Sequence, residues 1–475
     1  MGILTFSDVI EALTGTRPEV ASLNISGAAI DSRQVIPAGM FFAFPGEKVD
    51  GHDYVQHAFE RGALLAVIQH DLKIPVPVID LTKGNITPQM TMPRPPFCLR
   101  VDDTLLALHQ IARFWRQKFD LRVVGVTGSV GKSSTKELIA EVLGMRFKVL
   151  RNPGNLNNEI GLPLTLLRLT PGYQVAVLEM GFYVPGEIAF LCNLAQPHIG
   201  VITNVGTVHA ERAGSQEAIA KGKAELVQAL PPAPEGIAIL NYDDPLVRSM
   251  ASQTKARVFY YGLSPEADLW ADDIEGLGLK GIRFNLHYRN DEINLRVPLI
   301  GRHSVHTILR AASTALVLGL TWNEIIHSLQ HAKSQLRLVV VNTFNGAVIL
   351  DDSYHASPES THAALNLLDE MEGRKIAVLG DMLELGPYEK QGHEMVGKRA
   401  AEISDLLITV GPRGKMIAEA AAEAGMNQSL ITSVEDVSEA ISLLENLLQN
   451  GDTALIKGSH SLGMDRIVSA LEVEA

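Results

Sequence analysis

The stretch that decides the fold is VVGVTGSVGKSST, residues 123–135 of a 475-residue chain. An apolar run leads into a loop with evenly spaced glycines, and a Lys-Ser pair then opens a helical pattern. This order predicts a strand, a loop and a helix that hold a nucleotide triphosphate and Mg²⁺. The strict motif has a glycine five residues before Gly131, where this chain has Val126. A glycine-rich turn without a ligand is the alternative, which the strand–loop–helix context disfavours.

Two side chains of this loop have specific expected roles. Lys132 neutralises charge on the β- and γ-phosphates, and the Ser133 hydroxyl ligates Mg²⁺. Backbone N–H groups of the loop point at phosphate oxygens. The residues expected to contact ATP here are Thr127, Gly128, Ser129, Val130, Gly131, Lys132, Ser133 and Ser134.

Composition bounds the class of protein. A prior of about 150 residues per domain suggests three domains. Hydrophobic residues make up 46% of the chain and charged residues 20%, the balance of a globular enzyme with full cores. The net charge of −13 argues against a general nucleic-acid binder, whose phosphate contacts need a basic surface.

Cysteine usage and apolar runs constrain the compartment. Cys98 and Cys192 are the two cysteines, too few for a disulfide framework or a Cys-based zinc site, and they are typical of reduced cytosolic thiols. No apolar run is long enough to span a bilayer, and the first residues lack the basic start of a signal peptide. We therefore expect a cytoplasmic protein without membrane insertion. We also expect a monomer.

The first two predicted domains are residues 1–101 and 102–333. In the first, strands are predicted at Phe41–Phe44 and Ala66–Ile68, and a helix at Tyr54–Arg61. In the second, a helix capped by Asp103 or Thr104 precedes the phosphate loop. Its further buried strands, alternating with helices, are Val175–Leu178, Gly200–Thr203 and Ile237–Leu240. This alternation implies an α/β fold with a central parallel sheet.

Two more patterns complete the organisation. Period-two alternation on both sides of Asn290-Asp291 predicts a β-hairpin over residues 282–297. From residue 334 to 475 the strand–helix alternation restarts, which predicts a third, Rossmann-like domain. Its strand candidates are Val348–Leu350, Ile376–Leu379, Leu406–Val410 and Ala454–Ile456.

Polar residues follow the strands of the central domain. Glu179 ends an apolar strand, at the sheet edge where a metal-binding carboxylate belongs. His209 closes the turn NVGTVH, residues 204–209, and is aimed at the same edge. A solvated glutamate and an ordinary loop histidine are the alternatives.

An asparagine-rich stretch, NPGNLNNEIGLPL, occupies residues 152–164. Asparagine side chains both donate and accept hydrogen bonds, so they can hold a polar substrate. A cluster of turn residues is the alternative. The expected substrate-binding residues are Asn155, Asn157 and Asn158.

Together these motifs resemble the Mur ligase family, which forms amides of the bacterial peptidoglycan stem peptide at the expense of ATP. The resemblance is carried by TGSVGKSST, by NVGTVH and, most specifically, by GNLNNEIGLPL, which is similar to the dipeptide-adding branch. It implies that His209 binds a second Mg²⁺ and that a carbamylated lysine supplies further oxygens. The A-x-x-K phase and the spacing from His209 give that role to Lys223 rather than Lys221, although both lysines alone would read as solvated.

The implied residue sets overlap. The metal ligands are Ser133, Glu179, His209 and carbamylated Lys223, and the catalytic residues are Lys132, Glu179, His209 and Lys223.

Four other segments extend the resemblance over the whole chain. DSR at 31–33, FPGE at 44–47 and DGHD at 50–53 are similar to the UDP-binding first domain, which implies that Asp31, Ser32 and Arg33 bind substrate. DDSYHASP at 351–358 resembles an element that reaches the nucleotide through Asp352. LGDMLELG at 379–386, followed by His393, and KGS at 457–459 match late family elements.

The chain departs from the family pattern where asparagines read adenine. GRHSVHT at 301–307 has Ser304 and Thr307 in place of two asparagines. Two asparagines of the third-domain element are likewise His355 and Ser357. The mode of adenine recognition therefore stays open.

The resemblance implies a ligase that uses ATP and Mg²⁺ to join D-alanyl-D-alanine to UDP-N-acetylmuramoyl-tripeptide through an acyl phosphate. One alternative is a sister ligase, either the enzyme that adds the third residue or a folylpolyglutamate synthase. The absence of Asp-Asn-Pro argues against the enzyme that adds the third residue. Others are a P-loop NTPase that couples hydrolysis to movement or regulation, and a non-catalytic nucleotide-binding scaffold. The sequence does not specify the diamino acid at position three of the acceptor.

Overall fold

A computed structural model of the protein describes residues 3–46, 49–84, 87–332 and 339–473. It confirms the predicted α/β class, with three domains that each contain one sheet. By compactness the chain divides into two units. The first comprises Met1–Gly125, Phe147–Gly181 and Glu187–His198, and the second comprises Val126–Arg146, Phe182–Gly186 and Ile199–Ala475.

The first sheet has five parallel strands in the order β1-β2-β3-β5-β4. They are β1 (Ala28–Ala29), β2 (Met40–Phe42), β3 (Leu65–Ile68), β4 (Val78–Asp80) and β5 (Phe97–Arg100), with helices α1 (Phe6–Thr14) and α2 (Val55–Glu60). The predicted strand over Phe41–Phe44 is wrong at its end. Strand β2 ends at Phe42. The Ala43 N–H still donates to the Val67 carbonyl of β3, but the Phe44 carbonyl accepts a hydrogen bond from the Gly51 N–H in a loop. Glu47 of the FPGE motif lies outside the described residues.

The central sheet has nine strands in the order β14-β13-β12-β11-β10-β9-β6-β8-β7. They are β6 (Arg122–Thr127), β7 (Val149–Arg151), β8 (Val175–Glu179), β9 (Ile199–Ile202), β10 (Ile237–Asn241), β11 (Arg257–Gly262), β12 (Leu269–Gly276), β13 (Ile282–Tyr288) and β14 (Asp291–Val297). Strands β9 to β12 pair in parallel, and β13 and β14 form the predicted antiparallel hairpin.

The helices of this middle region follow the expected alternation. They are α3 (Thr104–Gln117), α4 (Lys132–Leu143), α5 (Gly161–Leu166), α6 (Glu187–Ala195), α7 (Ala210–Ala213), α8 (Gln216–Gln228), α9 (Pro245–Ser249), α10 (Ser304–Val317) and α11 (Trp322–Gln330). Asp103 caps α3 as predicted, because its carboxylate accepts the N–H groups of Leu105 and Leu106. Leu108, Ile111 and Trp115 of α3 are buried, in agreement with its apolar spacing.

The third sheet has six strands in the order β15-β16-β20-β17-β18-β19. Its elements are β15 (Val339–Asn342), β16 (Val348–Asp351), α12 (Pro358–Asp369), β17 (Lys375–Gly380), α13 (Glu389–Ile403), β18 (Leu406–Val410), α14 (Gly414–Glu423), β19 (Ile431–Val434), α15 (Val437–Leu447), β20 (Thr453–Lys457) and α16 (Asp465–Leu471). Only β15 pairs antiparallel among the described strands of this sheet. Two apolar cores form, one containing Leu365 and Val396 and the other containing Leu444 and Ile467.

The predicted boundary between residues 333 and 334 falls in 333–338, outside the described residues, and the domain limits stay predictions. Among the described residues, no helix combines the length and the apolar character needed to cross a membrane.

Candidate active site

The phosphate loop connects β6 to α4 in a backbone conformation that requires glycine. Gly128 and Gly131 have φ values of +147° and +82°. A Cβ at Gly128 would overlap the Thr203 hydroxyl, so the loop lies directly against the residue that follows β9. Gly131 caps α4, whose first turn therefore directs N–H groups and a positive partial charge toward the loop. Lys132 donates from Nζ to the carbonyls of Gly128 and Ser129, at 2.9 and 3.1 Å.

The residues that follow β9 brace this loop. Asn204 accepts the Val130 N–H at 2.9 Å and returns its own amide N–H to the Val130 carbonyl at 3.1 Å. Thr203 donates to the same carbonyl at 2.7 Å, and the Ser129 hydroxyl accepts the Gly206 N–H at 2.9 Å. The asparagine that the sequence marked only as a turn residue thus fixes the loop conformation.

His209 lies on the next turn and is held by a distant carboxylate. Its φ is +68°, and its ring meets the edge of Tyr183 at 4.9 Å between centroids. Nδ1 lies 2.6 Å from a carboxylate oxygen of Glu384. Burial, with a contribution from the Lys132 charge, lowers the pKa of His209 to about 4, although Glu384 opposes the shift. The imidazole is therefore neutral at pH 7, donates Nδ1–H to Glu384, and keeps Nε2 as a lone-pair donor.

A second carboxylate from the third domain reaches the same turn. Glu359, near the start of α12, accepts the Thr207 N–H at 3.0 Å. Its other oxygen is buried and has no hydrogen-bond partner among the described atoms. No local pattern marks Glu359, whereas Glu384 lies inside the LGDMLELG element at 379–386. Two acidic residues of the third domain thus hold the 204–209 turn.

Lys223 is buried on α8, with 1% of its surface exposed, whereas Lys221 is exposed. Its Nζ lies 4.8 Å from the centroid of the Phe182 ring. No acidic side chain pairs with it among the described residues. Burial, and next the charge of Lys132, lower the pKa of Lys223 well below its ordinary value. The amine is thus held in an environment that favours its neutral, nucleophilic form.

Glu179 and the asparagine-rich stretch meet in the first unit. Asn157 donates from its amide to the Glu179 carboxylate at 2.8 Å, and Asn152 hydrogen-bonds to both the N–H and the carbonyl of Glu179. Asn158 accepts the Gly161 N–H at 2.9 Å and so caps the start of α5. Asn155 is exposed. The stretch therefore orients the buried Glu179 as well as presenting polar groups.

The first-domain motifs form local hydrogen-bonded turns. Asp31 caps a 3₁₀ turn and pairs with Arg33 at 2.8 Å, and the arginine is largely exposed. The Ser32 hydroxyl lies 2.9 Å from His57 Nδ1. Asp50 lies within hydrogen-bonding distance of His52, whose other ring nitrogen accepts the Gln69 N–H. The exposed Arg33 guanidinium is thus the group of this segment most open to an anion.

The residues of the region expected to bind adenine form hydrogen bonds and an ion pair within the protein. Asp352 pairs with the buried Lys457 at 2.5 Å, and Lys457 also donates to the His355 carbonyl. The Ser304 hydroxyl donates to the Ile300 carbonyl, and Ser357 caps α12. The Thr307 hydroxyl accepts from the Arg310 guanidinium. These hydroxyls, which replace family asparagines, are therefore bonded within the protein.

Three family models match the chain in succession: "Mur ligase family, catalytic domain" over residues 24–116, "Mur ligase middle domain" over 126–315, and "Mur ligase, glutamate ligase domain" over 336–460. UDP-N-acetylmuramoyl-tripeptide–D-alanyl-D-alanine ligase of Bacillus subtilis is 34% identical over 98% of both chains. A crystal structure of MurF from Acinetobacter baumannii, 28% identical, has a TM-score of 0.83 over 99% of both chains. MurF ligase from Thermotoga maritima in complex with ADP is 26% identical, with a TM-score of 0.78 over 97% of both chains.

Proposed function

The chain belongs to the Mur ligase family, and on that premise we propose that it is an ATP-dependent ligase that adds D-alanyl-D-alanine to UDP-N-acetylmuramoyl-tripeptide in peptidoglycan synthesis. The observation that carries this proposal is the 34% identity to a ligase of that name over 98% of both chains. It covers all three domains, so a shared ATPase module alone does not explain it. The motor alternative is disfavoured for the same reason, and the sister-ligase alternative is disfavoured because the relative with that identity is a dipeptide-adding ligase by name.

ATP binds at the phosphate loop. This assignment is supported by the positive φ of Gly128 and Gly131 and by the first turn of α4. The Lys132 side chain also supports it, because it folds back and donates to the Gly128 carbonyl of the loop. A carboxylate does not condense with an amine in water, so the acceptor must be activated. The terminal carboxylate of the tripeptide attacks the γ-phosphorus of ATP, the bond from that phosphorus to the β-phosphate oxygen breaks, ADP leaves, and an acyl phosphate forms. The free amine of D-alanyl-D-alanine then attacks the acyl carbon, and inorganic phosphate leaves.

The protein contributes positioning and electrostatics to both steps. Lys132 stabilises charge on the transferring phosphoryl group. The first domain is proposed to hold the UDP moiety through Asp31, Ser32 and Arg33, and the third to admit the dipeptide. Asn155, Asn157 and Asn158 are proposed to contact the acceptor, and Asp352 the nucleotide. Domain limits at 1–101, 102–333 and 334–475 are kept as part of this proposal.

Mg²⁺ is proposed to be bound by Ser133, Glu179, His209 and Lys223. When bound, it would neutralise phosphate charge during phosphoryl transfer. The surroundings of two of these proposed ligands fit this role. Glu179 is a buried carboxylate oriented by Asn157, and His209 is neutral with its Nδ1 proton held by Glu384. Hard oxygen donors are what Mg²⁺ prefers, so the lysine must first be converted.

Carbamylation of Lys223 supplies that conversion. The neutral amine attacks the carbon of CO₂, a C–N bond forms, and a proton leaves to solvent. The product carries two oxygens and one negative charge in place of a cation. Supporting this are the burial of Lys223, its lowered pKa and the lack of an acidic partner among the described residues. The exposed Lys221 has none of these features.

The decisive test measures phosphate release from ATP with UDP-muramoyl tripeptide, with and without D-alanyl-D-alanine, and identifies the product by mass. We expect full turnover only with both substrates, and a product heavier than the acceptor by one dipeptide. Joining of free lysine or diaminopimelate to a UDP-muramoyl dipeptide would place the chain in a sister branch. Phosphate release without any amide product would indicate a motor or regulatory ATPase.

We further propose that the enzyme is a cytoplasmic monomer.

A further inference from the structure

A second buried cation lies against the phosphate loop. Arg310 is on α10 and only 4% exposed. If Gly131 carried a Cβ, that atom would lie 3.4 Å from Arg310 Nη2. The guanidinium is therefore in van der Waals range of the residue that caps α4 and ends the loop. No local sequence pattern indicates this contact, because positions 131 and 310 are far apart along the chain.

The hydrogen bonds of this guanidinium are incomplete. Nη2 donates to the Thr307 hydroxyl at 2.9 Å, and Cζ lies 5.8 Å from the centroid of the Tyr261 ring. Nε is buried and has no hydrogen-bond partner among the described atoms. No carboxylate among the described residues forms an ion pair with it. Burial lowers the pKa of Arg310, and a hydrogen bond with the Tyr261 hydroxyl opposes the shift. The guanidinium stays charged at neutral pH.

Arg116 shows what a satisfied buried arginine looks like in the same chain. It is also 4% exposed. Its guanidinium donates to two backbone carbonyls, those of Ala195 at 2.9 Å and Phe119 at 2.8 Å. The difference between the two arginines is therefore the partner and not the burial.

The position of Arg310 is unfavourable in the free protein. The N-terminus of α4 already carries a positive partial charge, so a cation beside Gly131 is repelled rather than stabilised. A buried charge whose partners are neutral hydroxyls, with no anion beside it among the described residues, is also costly. An anion in the loop reverses both effects, because phosphate charge is attracted strongly through a medium of low dielectric constant.

We propose that Arg310 is a second fixed positive charge of the phosphate loop, alongside Lys132, that increases affinity for nucleotides according to their phosphate charge. The proposal rests on the proposed function, since it presumes a nucleotide triphosphate in this loop. Under this proposal Arg310 lowers the stability of the free protein and raises its affinity for the nucleotide. A purely structural arginine would instead raise the stability of the free protein.

The test compares the full-length wild-type protein with Arg310→Met, Arg310→Gln and Arg310→Lys. Calorimetry measures Kd for ATP, ADP and adenosine, and thermal unfolding measures Tm without nucleotide. We expect Arg310→Met to weaken ATP binding by about tenfold to a hundredfold, ADP binding less, and adenosine binding little. Its Tm without nucleotide should be equal to or above that of wild type. Arg310→Gln should behave like Arg310→Met, and Arg310→Lys should retain most of the affinity.

Arg116→Met is the matched control, because it removes an equally buried guanidinium whose hydrogen-bond partners, the carbonyls of Ala195 and Phe119, lie outside the loop. It should lower Tm, since two carbonyls lose their donors, and leave the Kd for ATP unchanged. The proposal would be overturned if Arg310→Met weakened the binding of adenosine as much as that of ATP. It would also be overturned if Arg310→Met had a lowered Tm or failed to fold while Arg310→Gln bound ATP as tightly as wild type. If the wild-type protein itself did not bind ATP, the proposed function would fail before this inference was reached.

Discussion

His209 Nδ1 and a carboxylate oxygen of Glu384 lie 2.6 Å apart, although 175 residues separate them along the chain. Both residues have positive φ, +68° and +62°, so each backbone is held in a conformation that few non-glycine residues adopt. Arg212 lies 3.6 Å from the other Glu384 oxygen and also stacks on Tyr183, which contacts the His209 ring. The third domain therefore sets the orientation of a ring in the middle domain.

Replacement of Glu384 should weaken metal binding more than it weakens the fold. Glu384→Ala leaves His209 without an acceptor for Nδ1–H, so the ring can rotate or change tautomer. We expect the Mg²⁺ concentration needed for half-maximal activity to rise by about 10- to 100-fold. Affinity for Mn²⁺ measured by electron paramagnetic resonance should fall in parallel. Glu384→Gln, which keeps an acceptor oxygen, should lose less.

Glu389→Gln is a suitable control for that experiment. Glu389 is five positions further along and pairs with Arg413 at 2.7 Å, on a partly exposed surface. Its removal should leave metal affinity unchanged. Equal metal affinities in wild type and Glu384→Ala would mean that Glu384 does not orient a ligand.

Lys132→Ala should abolish turnover and leave the fold intact. Lys132 is on the loop itself, where its Nζ donates to the carbonyls of Gly128 and Ser129, and it is not part of an apolar core, so little packing is lost. Its charge stabilises the transferring phosphoryl group, and loss of such a group costs a factor of about 10² to 10³ or more. Circular dichroism and Tm should match wild type. Near-normal ligation by a folded Lys132→Ala protein would remove the loop lysine from the mechanism.

The fold was largely predictable because most strands are apolar and continuous. Strands such as Val175–Glu179 and Ile376–Leu379 are buried along their length, and the hairpin at 282–297 alternates strictly. Strands β1, β4, β5, β7, β11 and β12 were not predicted, and neither were β15 and β19. The last two are edge strands with exposed positions, and in β19 the exposed Thr432 and Ser433 interrupt the apolar run.

The site was predictable only where it is local in sequence. The phosphate loop is one contiguous segment, so spacing alone identified it. Glu359, Glu384 and Arg310 act on residues more than 150 positions away, and no local pattern encodes such contacts. The local pattern around Asn204 indicates only a turn. Its hydrogen bond with Val130 joins the segments that follow β6 and β9, and therefore exists only once these two strands have folded together.

Acid should destabilise the segment that carries Glu384, through His393. This buried ring donates Nδ1–H to the Glu389 carbonyl and accepts the Met382 N–H at Nε2. Burial lowers the pKa of His393 below its ordinary value of 6.5, with Arg413 acting in the same direction and Glu389 and Asp381 opposing. The folded pKa is thus below the unfolded one. The neutral ring contributes stability that is fully present above pH 6.5 and is lost as pH falls through the folded pKa.

The measurement is Tm at a series of pH values between neutrality and acid, for wild type and His393→Gln. The variant should be less stable at neutral pH, and its Tm should fall less steeply with acidification, because one titrating group has been removed. Identical slopes for the two proteins would show that His393 does not contribute to the pH dependence.

Lys223→Ala should be nearly inactive and partly restored by acetate. The structure buries Lys223 beside Phe182 with a strongly lowered pKa, which are the conditions for carbamate formation. Without the side chain, two anionic oxygens are missing from the proposed metal site, and a loss of about 100-fold or more in ligation rate is expected. A short carboxylate has the right charge and donor atoms to replace them. The measurement is ligation rate against acetate concentration.

Lys221→Ala is the matched control, because Lys221 is on the same helix two positions earlier and is exposed. Its removal should change the rate little, and acetate should have no effect on it. The sign of the rescue separates the two interpretations of Lys223. A carbamate is an anion, so carboxylates restore the function, whereas an ammonium group would be replaced by added amines. Rescue by amines, or an inactive Lys221→Ala beside an active Lys223→Ala, would exclude the carbamate.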